Sequence, residues 1–172
     1  MSREHLATYL NDHLAGAVAA VELLDNLSSS YKDTDIPGFV APLKTEIEAD
    51  RLVLEDLMGR LGIEPSSVRR ASAWFASKMT ELKLLVDDPA SGSLHLFQAF
   101  EILSLGIEGK RALWLALTSA SERAPELKLI DYNRMIARAV DQRNRVEERR
   151  LKSAQDALLI DAADKARSGS PQ

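Results

Sequence analysis

Apolar residues recur along this chain at alternating steps of three and four, the spacing of helices that each bury one face. The clearest case is TEIEADRLVLEDLMGRLG, residues 45–62. Leu43, Ile47, Asp50, Leu54, Leu57 and Leu61 share its seam, and Asp50 is the one charged member. The same pattern predicts four more helices. The first covers 3–27, with Leu6, Leu10, His13, Ala17, Ala20 and Leu24 on its seam. The next covers 66–86 and buries Val68, Ala71, Phe75, Met79 and Leu82. Another starts near Ser93 and carries Leu96, Phe100, Leu103, Ile107, Lys110, Trp114 and Leu117. The last, 126–166, places Tyr132, Ile136, Ala139, Arg143, Val146, Arg150 and Ala154 on one face. No window alternates with period two between turn residues, so the expected class is all-α.

Glycine, proline and short polar residues sit where these patterns stop. Ser2 can cap the first helix, and the polar stretch 28–38 reads as a loop. Pro37 pre-sets the turn that starts the 45–62 helix. Gly62 is placed to end it as a left-handed C′ residue, with Ile63 packing back near Met58. Asp87, Asp88, Pro89 and Gly92 break the 66–86 helix, and Pro125 separates the last two. The chain reads as one domain, 1–166, with a disordered polar tail, 167–172. A helix over 66–86 would span roughly 30 Å, enough to return the chain to the far end of a bundle. Two antiparallel pairs joined by that crossover and a plain up-down array of five helices both satisfy the pattern.

Composition narrows the chemistry. The chain has no cysteine, which excludes disulfides, thiolate metal sites and a cysteine nucleophile. A net charge of −4 argues against nucleic acid or an anionic membrane as the main partner. No apolar run approaches the roughly 20 residues of a membrane span, and residues 1–16 lack the pattern of a secretory signal. The expected location is cytoplasmic. There is no phosphate-binding glycine loop, no His-x-x-x-His pair and no nucleophile elbow. The arginines at 143, 145, 149 and 150 alternate with Asp141, Glu147, Glu148 and Asp156, as on a salt-bridged solvated face. His5 and His95 fall outside the seams and read as surface residues. Trp74, Phe75, Phe97, Phe100 and Trp114 read as core.

Two short motifs carry a family resemblance. Glu48-Ala-Asp-Arg51 and Glu147-Glu-Arg-Arg150 resemble the Glu-x-x-His ligand helices of ferritin-like carboxylate bundles, with arginine in place of histidine. The chain is similar in pattern to uncharacterised bacterial members of that superfamily. The resemblance implies a four-helix bundle with an additional helix in the crossover between its second and third helices. It also implies where a di-metal centre would stand. Arginine has no lone pair to give a metal. Glu22, Glu48, Glu101 and Glu108 lie off the seams, which leaves Asp50 and Glu147 facing inward. No di-metal centre, no cofactor and no catalytic residue are therefore expected.

In its place the seams suggest a polar layer of His13, Asp50, Arg51, Lys110, Arg143, Glu147 and Arg150, because a buried charge must be paired. That layer can fix helix register, line an anion or small-molecule pocket, or retain a single metal ion. His13 and Asp50 fall at one height when the chain folds at the 28–38 loop, and they are expected to face each other directly, through Arg51 or through a water. The functional expectation is a non-enzymatic binding or interaction module whose small-molecule ligand the sequence leaves unknown. The rival is a metal-dependent oxidase or iron-binding protein using Asp50, Glu147 and His13. Leu158, Leu159 and Ile160 on an overhanging last helix are expected to pack back on their own bundle or to form a symmetric homodimer contact, with the homodimer favoured.

Overall fold

The structure is a computed structural model and describes residues 3–65 and 92–159. Four α-helices carry the fold: α1 (Arg3–Ser30), α2 (Ile36–Arg60), α3 (Ser93–Ser121) and α4 (Tyr132–Ala157). There is no strand among the described residues. The expected helix 66–86, the crossover it would form and the tail 167–172 lie outside them.

Local chemistry sets the helix ends. Gly62 ends α2 at φ +62°, a conformation that disfavours any side chain. Its N–H donates to the Gly59 carbonyl at 3.0 Å, and the Ile63 N–H donates to Met58 at 2.9 Å. Those two bonds define a Schellman end, and its apolar contact is present because Ile63 and Met58 are both buried. The Arg3 guanidinium adds bonds to the Leu61 and Gly62 carbonyls at 2.9 and 2.8 Å. α1 continues past Leu27 to Ser30, through residues expected to form a loop. Ser29 turns its hydroxyl back to the Asp25 carbonyl at 2.9 Å, which lets a polar residue sit in the last turn.

The last helix starts later than Pro125 suggests. Residues Pro125–Leu127 form one 3₁₀ turn, and α4 begins only at Tyr132. Asp131 explains the break: its carboxylate accepts from the Arg134 N–H at 3.0 Å and caps the new helix. The Tyr132 hydroxyl donates to the Leu127 carbonyl at 2.5 Å and ties the turn to the helix.

Two apolar clusters fix the helix directions. Leu10 and Leu14 of early α1 belong with Leu57 and Met58 of late α2, Leu117 of late α3, and Tyr132 of early α4. At the other end, Leu24 and Leu27 of late α1 belong with Val40 of early α2, Phe100 of early α3 and Val146 of late α4. So α1 and α4 run one way, and α2 and α3 the other. α2 therefore ends and α3 begins at opposite ends of the bundle: the Asn11 amide of α1 donates to the Glu64 carbonyl at 3.4 Å, and the hydroxyl of Tyr31, just past α1, donates to the Gly92 carbonyl at 2.9 Å.

Backbone packing is closest within the pairs α1–α2 and α3–α4, and next between α1 and α3. The gap between α2 and α4 is bridged by long charged side chains, including Glu46–Arg145, Asp50–Arg138 and Asp35–Arg149. α2 and α3 therefore lie on a diagonal. Among the described residues no helix is long and apolar enough to cross a membrane.

The seam of α4 differs from the expected one. Its buried positions are Tyr132, Met135, Ala139, Gln142, Val146 and Ser153. Met135 and Gln142 take the places expected for Ile136 and Arg143. The helix is so polar that spacings of three and four fit its few apolar residues equally well. Burying an amide costs far less than burying a guanidinium, so Gln142 faces in and Arg143 faces out.

Candidate functional site

Asp50 sits on the buried stripe of α2 between Ile47 and Leu54 and is 3% exposed. Burial at that position requires partners, and three side chains supply them. The Lys110 ammonium of α3 donates to one carboxylate oxygen at 2.5 Å, and the Arg138 guanidinium of α4 donates to the other. The Gln142 amide, itself fully buried, donates at 3.2 Å. Gln142 also accepts from Lys110 and donates to Glu46 at 3.1 Å, so its oxygen and its N–H₂ group are all engaged. Arg145 closes the network on Glu46. Burial pushes the Lys110 ammonium below its ordinary pKa, and the adjacent Asp50 charge opposes the shift.

Glu147 belongs to a second group toward the start of α3. It accepts the Ser104 hydroxyl at 2.5 Å and Arg150 at 3.0 and 2.8 Å. Arg150 also reaches Glu101 at 3.2 Å and lies 5.8 Å over the Phe97 ring. The Arg150 contact, then the Ser104 hydrogen bond, bring the Glu147 carboxyl down to about 2.

The seven residues expected to form one layer are thus divided. Asp50 and Lys110 share the central network, while Glu147 and Arg150 form the second group. Arg143 stands apart, 41% exposed, with its Nε 3.6 Å from a Glu108 carboxylate that Arg111 already holds at 2.6 Å. Arg51 pairs with Glu55 at 3.4 Å, one turn along its own helix. His13 is half-buried on α1, its ring edge-on to Tyr9 at 4.7 Å. Burial lowers its pKa against the pull of Asp12. Arg138, Gln142 and Ser104 complete the two groups and were missed. Each is a single polar residue without a motif, and only the true register of α4 places the first two.

His13, Asp50, Arg51 and Lys110 nevertheless meet the same space, a cavity of about 220 Å³ between α1, α2 and α3. No hydrogen bond among the described residues joins His13 to Asp50; they share a wall. The cavity exists because small residues face each other across it. Gly16, Ala17 and Ala20 come from α1, and Gly106 and Gly109 from α3. A Cβ built on any of these three glycines meets nothing within 4 Å. Ile47, Leu54, Ile107 and Leu113 supply apolar wall. Trp114 completes it, and its buried indole N–H has no acceptor. A signal for this space was present in the sequence, as small residues on facing seams of two long helices.

His95, read as a surface residue, is half-buried, with its Nδ1 3.1 Å from the Tyr31 hydroxyl. Phe100 and Trp114 are core, whereas Trp74 and Phe75 lie outside the described residues. Among the described residues no three His, Asp or Glu side chains converge as a metal-binding group would require. No family model, no curated protein and no solved structure matches this chain.

Proposed function

We propose that this chain is a ferritin-like four-helix bundle working as a non-enzymatic binding module, with its ligand in the α1–α2–α3 cavity. Two antiparallel pairs, with α2 parallel to α3 on a diagonal, support the topology, which the superfamily builds with one long crossover. The side chains do not fit the superfamily's di-metal centre. Asp50 is held by two cations and an amide, and Glu147 by Arg150 and Ser104. Neither carboxylate is available to bridge metal ions with the other.

The carrying observation is the cavity beside that ion-pair layer. It is mostly apolar, with a few polar groups contributed by all three helices, the arrangement of a small-molecule site. Two-dimensional NMR with a mixed set of small aromatic and aliphatic compounds tests it. Shifts concentrated at the Gly106 and Gly109 amides and the Trp114 indole support the proposal. Absence of such shifts across the millimolar range removes it.

The proposal extends to a homodimer. Leu151 of α4 and Leu158, just past its end, are 56% and 61% exposed, and the adjoining Leu159 is at 75%. A second copy of this chain is the proposed cover, and a monomeric mass by light scattering at high concentration would rule it out.

A further inference from the structure

We infer that the cavity's ligand is a small monocarboxylate with a compact apolar body, its charged end received by Lys110 and Arg51. This deepens the proposed binding function and rests on it.

The hydrogen-bonding capacity left in the walls is donor capacity. Asp50, the buried acceptor, already receives Lys110, Arg138 and Gln142. Lys110 has three N–H bonds, of which two go to Asp50 and Gln142. Arg51 offers five, and none makes a hydrogen bond among the described residues, its Nε lying 3.4 Å from the Glu55 carboxylate. Trp114 lies in the same wall, but its indole N–H is buried away from that space and adds no donor to it. Two opposing groups also face this space from α1. Asp12 is exposed, and His13 is held toward its neutral form. The lining balances Arg51 and Lys110 against Asp12 and Asp50, so the preference for an anion rests on the N–H groups that Lys110 and Arg51 have left over and not on net charge.

Size and wall chemistry set the rest of the molecule. A dry cavity of about 150 Å³ accommodates benzene. The present 220 Å³ therefore admits about one ring, or a chain of six or so carbons, with a carboxylate. Ala17, Ala20, Ile47 and Ile107 give such a body an apolar seat. A polyanion or a sugar would leave its polar groups unpaired against those walls.

Calorimetry and NMR on the full chain with matched probes test this: benzoate and hexanoate against benzyl alcohol, hexanol and benzylamine. The carboxylates should bind at least tenfold tighter than their neutral partners, and benzylamine not at all. Arg51→Gln, at a partly exposed position, should weaken benzoate at least tenfold while leaving the alcohol unchanged. Gly109→Leu should fill the cavity and abolish binding of every probe, with an unchanged helical circular dichroism spectrum showing that the fold is kept. If the alcohols bind as well as the acids, the carboxylate assignment is wrong while the cavity stands as a binding site. If no probe binds, or if Gly109→Leu leaves benzoate binding intact, both the assignment and the proposed site are wrong.

Discussion

Lys110 and Asp50 join α3 and α2, which run parallel across a diagonal of the bundle. The ammonium of α3 reaches across the diagonal to the carboxylate of α2 at 2.5 Å, where Asp50 is 3% exposed. Removing one partner of a buried pair leaves the other charge under-compensated and costs about 3–5 kcal/mol. Lys110→Met should therefore lower stability by that order in urea titration. Asp50→Leu with Lys110→Met should recover part of the loss: Gln142 and Arg145 keep Glu46, while Arg138, which is 26% exposed, loses its carboxylate and must turn to solvent. A double change as damaging as the sum of the singles would show that the pair is not coupled.

The glycines facing the cavity carry helix cost without steric need. A Cβ at Gly109 meets nothing within 4 Å, and its φ is not in the left-handed region. Gly109→Ala should stabilise the chain by about 0.5–1 kcal/mol through helix propensity. Thermal unfolding should rise by roughly 2–4 °C per kcal/mol at this chain length. A lower melting temperature would mean that the open space is needed by the fold itself.

Glu147 gives the acid limb of stability. Its carboxyl stands at about 2 in the folded chain against an ordinary 4.5. A depressed carboxyl contributes fully above the unfolded value, and the contribution is lost as pH falls from about 4.5 toward 2. Glu147→Gln should flatten the stability profile in that window and leave the slope above pH 5 unchanged. Parallel profiles for the two proteins down to pH 2 would contradict the assignment to Glu147.

Arg143 and Arg138 separate the expected α4 register from the observed one. Arg143 is 41% exposed and 3.6 Å from Glu108, a contact worth at most about 1 kcal/mol. Arg138 donates to buried Asp50, and hydrogen bonds to charged groups contribute about 1.5–3 kcal/mol. Arg143→Ala should be nearly silent in urea titration and Arg138→Ala should not. Equal effects would restore the expected register.

That contrast also marks how far the sequence could be read. On α2 and α3 the apolar positions are dense, so Ile47, Asp50 and Leu54, or Ile107, Lys110 and Trp114, permit one seam. The Gly62 end and the Ile63–Met58 contact follow from local chemistry and were equally legible. On α4 the apolar residues are sparse, and Arg143 and Gln142 compete for one inward position. The lower cost of burying an amide, together with the acceptors that Glu46 and Asp50 of α2 offer Gln142, decides between them. The cavity was legible only in part: the small residues of α1 and α3 were visible, but that Gly16 and Gly106 line one space is a property of two helices and not of either one.

Arg51 and Arg150 occupy the motif positions where ferritin-like helices carry histidine, so the sharpest probe is to restore both. A di-metal centre holds its ions about 3.5–4 Å apart with carboxylates converging on them. Here the two inward carboxylates are anchored to different turns of α3, Asp50 to Lys110 and Glu147 to Ser104. Six residues separate those anchors, which is about 9 Å along a helix. Histidines at 51 and 150 would add nitrogen donors without moving either carboxylate, and Lys110 and Arg138 would still hold Asp50. Arg51→His with Arg150→His should therefore bind no pair of metal ions in iron- or manganese-supplemented medium. Elemental analysis reads the outcome directly. Two ions per chain would show that the carboxylates can leave their cationic partners and converge, which would revive the metal-dependent oxidase reading.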